Sequence, residues 1–276
     1  MNNVTVRTLS GGGFIVVMLA CLLLNKFLFA GLIVFIMIGM MNEFYRMTMG
    51  DLYKFSRILA ISAGVILFAL LFFTVSYHIP IRFISFALAP IFVVMINSLY
   101  VKDKKEFGKF SNIYTGLLYI AFPLALSNLI AFDRDGVLNG TLLVCFFIII
   151  WCSDIGAFVF GITLGQKFGK KLCPSISPKK SWVGFWGGFI SAIGASIALY
   201  FTGLLVFPLI HCIILAMLMD VAGVYGDLFE SQWKRYYNVK DSGNIIPGHG
   251  GLLDRFDSTL MAVPIGAIYL VMMNLL

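Results

Sequence analysis

Apolar runs recur along this chain from near Phe14 to Leu276, and no polar stretch between them exceeds roughly 30 residues. That pattern leaves few folds open. A helix of about 20 apolar residues spans the hydrocarbon core of a bilayer and satisfies its own backbone hydrogen bonds where no water can. About nine such segments can be drawn, near 13–25, 27–42, 58–77, 82–100, 113–132, 138–164, 181–202, 204–226 and 258–275. Only 12% of the residues are charged and 60% are hydrophobic, whereas a soluble domain carries roughly 25% charge. The expectation is an all-α, polytopic integral membrane protein with about nine transmembrane helices. The polar stretches are too short for a separate globular domain. Residues 1–276 therefore read as one membrane-embedded domain, with N-terminal helices in 1–135 and the informative polar residues in 136–276.

Charge fixes the expected orientation. With the N-terminus cytoplasmic, only Lys26, Arg82 and Arg134 fall on the far side, so seventeen of the twenty Lys and Arg face the cytoplasm, as the positive-inside rule requires. The longest polar segments, 165–180 and 227–257, then lie on the cytoplasmic side of an inner or plasma membrane, where a soluble anionic substrate would meet them. Arg7 ahead of the apolar run Phe14–Leu24 has the form of a signal peptide. The run is followed by Asn25-Lys26 and more apolar sequence without a small-residue cleavage pattern, so a helical hairpin is expected instead. The five cysteines form no CxxC pair or zinc spacing and read as reduced packing residues. The basic residues are scattered over short loops, which argues against nucleic acid as a partner and for the lipid bilayer.

The densest chemistry lies in Ser231-Gln-Trp-Lys234-Arg235, then Lys240-Asp241, then Pro247-Gly248-His249-Gly250-Gly251-Leu-Leu-Asp254-Arg255-Phe-Asp257. Carboxylates bind hard divalent cations, lysines and arginines neutralise phosphates, and glycines let backbone amides approach an anion. The mixture suits a metal-bound polyphosphate. Upstream, Asp227, Glu230 and Ser231 fall at i, i+3 and i+4, on one face of a helix end. Asp154 and Asp220 lie inside apolar runs, where an acid is costly unless it meets a cation or water. In Ser175-Ile-Ser177-Pro178-Lys179-Lys180-Ser181, either Ser177 or Ser181 could cap the following helix, and its N-terminus beside two lysines would favour phosphate. Gly184 and Gly188 read as helix-packing positions.

These residues resemble the phosphatidate cytidylyltransferase family, whose signature is Ser-x-x-Lys-Arg, four residues, Lys-Asp, then Pro-x-His-Gly-Gly-x-x-Asp-Arg-x-Asp. Ser231 to Asp257 match it throughout. The likeness extends to Ser177-Pro-Lys-Lys-Ser-Trp and to Asp154-x-x-Ala-Phe-x-x-Gly161. Val183 and Phe158 stand where the family often has Glu and Tyr. The resemblance implies transfer of a cytidylyl group from CTP to phosphatidic acid, with magnesium, a second cation being left open, and it suggests a homodimer. It makes 136–276 the catalytic part and Asp227, Asp254, Lys240 and Arg255 the catalytic residues. Asp227 and Asp254, with Asp257 and Glu230 as second choices, would hold the metal. Ser177, Lys179, Lys180, Ser231, Lys234, Arg235, Gly248, His249, Gly250 and Gly251 would bind substrate. The nearest rival is a CTP-dependent lipid kinase. A cation-coupled transporter would use Asp154, Asp220 and Asp227 but leaves Lys240 to Asp257 without a purpose.

Overall fold

The computed structural model describes residues 3–101, 107–165, 170–245 and 250–276, with side chains from Gly11 onward. Nine helices follow in order among them: α1 Asn3–Leu24, α2 Lys26–Met49, α3 Lys54–Tyr77, α4 Ile81–Ser98, α5 Phe110–Ala131, α6 Thr141–Gly165, α7 Trp182–Phe201, α8 Leu209–Tyr236 and α9 Leu253–Met272. From α2 onward, all eight are long and apolar enough to cross a membrane, whereas the apolar part of α1, Gly11–Leu24, is shorter. The chain is an all-α, multi-pass membrane protein.

Two local features differ from the sequence expectation. A short antiparallel hairpin, β1 Lys171–Cys173 and β2 Ser177–Ser181, precedes α7. Periodicity misses it because strands of three and five residues carry no usable hydrophobic pattern. The polar motif is also more helical than it reads: α8 runs on to Tyr236, and α9 begins at Leu253. Hydropathy marks where a helix leaves the bilayer, not where its hydrogen bonding stops.

The chain forms two compact units, residues 1–139 with 237–255, and residues 140–236 with 256–276. In the first, Phe29, Phe68, Phe72 and Phe132 form a ring cluster with centroids 5.5 to 6.5 Å apart. Tyr45 Oη donates to the Ile113 carbonyl at 2.9 Å, so the buried hydroxyl is satisfied. In the second, α6 and α7 meet along a seam of small residues. A Cβ on Gly156 would lie 2.1 Å from Ser191 Oγ and 2.8 Å from the Gly187 carbonyl, and one on Gly184 would lie 2.9 Å from the Ala157 carbonyl. Close backbone approach of this kind holds membrane helices together. Gly156→Ala should therefore destabilise the second unit by about 1–3 kcal/mol through overpacking, read as a lower Tm in detergent. An unchanged Tm would mean that the seam is not tight.

Candidate active site

The second half of α8 builds most of the site, and it lies in the second unit. Asp227, Glu230 and Ser231 share one face as the spacing predicts, and Ser231 Oγ donates to Asp227 Oδ1 at 3.2 Å. One turn on, Lys234 pairs with Glu230 Oε2, whose side chain is only 1% exposed. The hairpin supplies the opposing charge: Lys180 Nζ stands 2.5 Å from Asp227 Oδ2. Two further bonds hold the hairpin in place. Ser181, rather than Ser177, caps α7 by accepting from the Gly184 amide at 3.1 Å, and Arg235 Nε donates to the Ile176 carbonyl at 3.4 Å. Lys179 is exposed on the same strand, and Ser177 pairs with Cys173 across it.

A second acid approaches Asp227 from α9. A Cβ on Gly226 would lie 2.5 Å from the backbone carbonyl of Asp257, so only a glycine lets the two backbones come this close. Asp257 Oδ1 accepts from the Ser258 amide at 2.7 Å, and its carboxylate lies in the field of Asp227, Asp154 and Lys234. Asp154 in turn feels Asp227, Lys180 and Asp220. Asp220 is buried deeper in α8, 3% exposed, with Ser153 Oγ donating to Oδ1 and Oδ2 unpartnered.

Asp154, Asp227 and Asp257 thus repel one another, with Lys180 the cation in contact with Asp227. Clustered acids on the helices of a membrane protein are unfavourable without added positive charge, and their hard oxygens fit a divalent cation. Among the described residues no three His, Cys, Asp or Glu side chains form a ready metal cage. Magnesium does not require one, since it keeps its waters and uses one or two carboxylates with substrate phosphates.

The glycine loop belongs to the first unit. Asp254 Oδ2 accepts from the amides of Ser242 at 3.0 Å and Gly251 at 2.9 Å, so this carboxylate latches the loop as well as carrying charge. Gly250 has φ +86, in the left-handed region, which favours glycine. A Cβ on Gly251 would lie 2.2 Å from Ser242 Oγ. The Gly251 amide, expected to face an anion, is given to Asp254 instead. Lys240 and Arg255 are exposed. Gly248 and His249 lie outside the described residues. Sequence reasoning misses Glu43, a buried acid on α2 that accepts from the Leu252 and Leu253 amides. The signal was available, because an acid inside an apolar helix needs a partner.

Fold and site together define a multi-pass membrane protein whose polar helix ends gather acids and lysines suited to polyphosphate. Comparison with known proteins is more specific. The profile described as "Cytidylyltransferase family" matches residues 5–273. The chain belongs to the cytidylyltransferase family. It is 38% identical over 173 residues to a protein named phosphatidate cytidylyltransferase from Bacillus subtilis (strain 168), covering 63% of this chain and 61% of that one. A protein of the same name from Rickettsia bellii (strain RML369-C) is 40% identical over 156 residues, covering 54% of this chain and 65% of its own length. Against a third, from Rickettsia felis, identity is 34% over 218 residues, covering 75% of this chain and 89% of the relative. The chain thus spans less than two thirds of the length of the first two.

Proposed function

We propose that this chain is a phosphatidate cytidylyltransferase, converting CTP and phosphatidate to CDP-diacylglycerol and pyrophosphate. The observation that carries the reading is the Lys180–Asp227 ion pair beside Ser231 and Lys234, set in the signature Ser231 to Asp257 of a cytidylyltransferase-family chain. A phosphate oxygen of phosphatidate attacks the α-phosphorus of CTP. The bond from that phosphorus to the oxygen bridging to the β-phosphate breaks, and pyrophosphate leaves with the electron pair. The nucleophile is already anionic, so no strong general base is needed. The residues must instead hold two mutually repelling anions in line and neutralise their charge.

Lys180 and Asp227 neutralise one another in the free chain, and a triphosphate competes with Asp227 for the lysine. Lys179, Lys234, Arg235, Lys240 and Arg255 supply further positive charge, and Glu230 keeps Lys234 in place. Asp227 and Asp254 are the carboxylates that the family resemblance gives to magnesium; within the second unit Asp227 offers its oxygens with Asp257 the next choice and Glu230, paired and buried, the last, and a bound ion would add positive charge to the nucleotide phosphates. The motif segments face the cytoplasm of an inner or plasma membrane, and the working form is a homodimer.

Feeding the purified protein phosphatidate, magnesium and CTP labelled at the α or the γ phosphate tests this reading. Label from the α position should enter the lipid. Transfer of the γ label would make the protein a lipid kinase, and no transfer would reject both activities.

Lys180→Ala should raise the KM for CTP by about tenfold or more, the loss of a charge-assisted contact, with a smaller rise for phosphatidate. Lys179→Ala, at an exposed position, should do less. Steady-state kinetics in mixed micelles measure both. A CTP dependence unchanged in both folded variants would reduce these lysines to topology signals.

A further inference from the structure

We infer that Glu43, on α2, is a positioning residue that fixes the shape of the loop leading into α9 and, through it, the placement of Asp254. Its effect on turnover rests on the reading of the chain as a cytidylyltransferase, whereas its hold on the loop does not.

Glu43 lies in a largely apolar helix and is 4% exposed. Such an acid is costly unless its oxygens are engaged, and here they are. Oε1 accepts from the Leu252 amide at 3.1 Å, while Oε2 accepts from the Leu253 amide at 2.9 Å and from Ser242 Oγ at 3.2 Å. The two amides stand at the start of α9, where a helix has no partners of its own for its first donors and its dipole favours a negative charge. Glu43 therefore caps α9 from a helix roughly two hundred residues away in sequence.

Asp254 holds the same loop through other atoms. It takes the amides of Ser242 and Gly251, while Glu43 takes the Ser242 hydroxyl and the next two amides. Ser242 is thus gripped by both carboxylates. The glycines follow from this grip: a Cβ on Gly243 would lie 2.3 Å from Glu43 Oε1, and one on Gly251 would lie 2.6 Å from Oε2. Gly39, four residues before Glu43, leaves the notch that Leu252 fills, since a Cβ there would meet Leu252 Cδ1 at 2.5 Å. A glycine notch and a carboxylate on one face of α2 thus form a receptor for the loop. The amides of residues 251, 252 and 253 are committed to protein carboxylates.

The test uses the full chain in detergent, as wild type, Glu43→Gln, Glu43→Ala, Gly243→Ala and the Glu43→Ala/Gly243→Ala double variant. Without substrate, hydrogen exchange at the Leu252 and Leu253 amides should speed up at least tenfold in Glu43→Ala and by a smaller factor in Glu43→Gln, with α3 unchanged. Gly243→Ala should speed the same amides in the wild-type background and add less than twofold once Glu43 is alanine, because the new methyl collides with that carboxylate. If cytidylyl transfer is present, Glu43→Ala should lower kcat at least tenfold while KM for CTP moves less than threefold. Should Glu43→Ala fail to fold, the exchange of Glu43→Gln decides. Unchanged exchange in either Glu43 variant, or an equal effect of Gly243→Ala in both backgrounds, would overturn the proposal. A wild type without cytidylyl transfer would reject the functional reading alone and leave the exchange result to decide Glu43.

Discussion

Asp227→Asn is expected to lower kcat by about two to three orders of magnitude, the scale on which preorganised charge stabilisation is lost, with little change in folding. Asparagine keeps the shape and can still accept from Ser231, but it gives up the negative charge that holds Lys180 and would face a divalent cation. The stability cost should be small. The Lys180 and Asp227 side chains are 28% and 31% exposed, and ion pairs with that much solvent contact contribute about 1 kcal/mol at most. Removing one of three mutually repelling acids offsets part of even that. Turnover and Tm measured on the same preparation check both halves. Near-normal turnover with an unaltered magnesium requirement would remove Asp227 from the chemistry and bring Asp257 forward.

The second large effect is expected at Asp254, where two substitutions separate two roles. Both loop amides converge on Oδ2, so Asp254→Asn can keep these bonds by presenting its carbonyl oxygen there, while losing the charge. It should lower kcat at least about a hundredfold and leave Tm nearly unchanged. Asp254→Ala strands the part-buried amides of Ser242 and Gly251, at about 1–3 kcal/mol for each donor left unsatisfied. It should therefore be inactive and also melt earlier. If the asparagine variant turns over normally and only the alanine variant fails, Asp254 is a latch and not a source of catalytic charge.

The sequence was most legible where a single physical force dominates. Bilayer hydrophobicity alone places α2 to α9, because a run that must bury about 20 residues in hydrocarbon leaves little choice of structure. Helical periodicity likewise places Asp227, Glu230 and Ser231 on one face, and the bond between Asp227 and Ser231 follows from it. Long-range pairings were not legible. Nothing in the spacing of Lys180 predicts that a β-hairpin delivers it to Asp227, forty-seven residues away. The pattern Gly-Gly-x-x-Asp suggested amides turned toward a phosphate, yet one of those amides serves Asp254 and the amides after it serve Glu43. A motif records which residue types are needed together; it does not record which of them satisfy one another. The glycines illustrate this, for Gly226 is needed for the carbonyl of Asp257 and Gly243 for the carboxylate of Glu43.

The most direct test of the central claim follows two products in one reaction. Purified protein in mixed micelles with magnesium and CTP is sampled for pyrophosphate and for CDP-diacylglycerol, with and without phosphatidate. Cytidylyl transfer predicts that the two products rise together in equal amounts, that both require phosphatidate, and that both fall in parallel in Asp227→Asn. Release of CDP with a newly phosphorylated lipid, or pyrophosphate formed without phosphatidate, would contradict it.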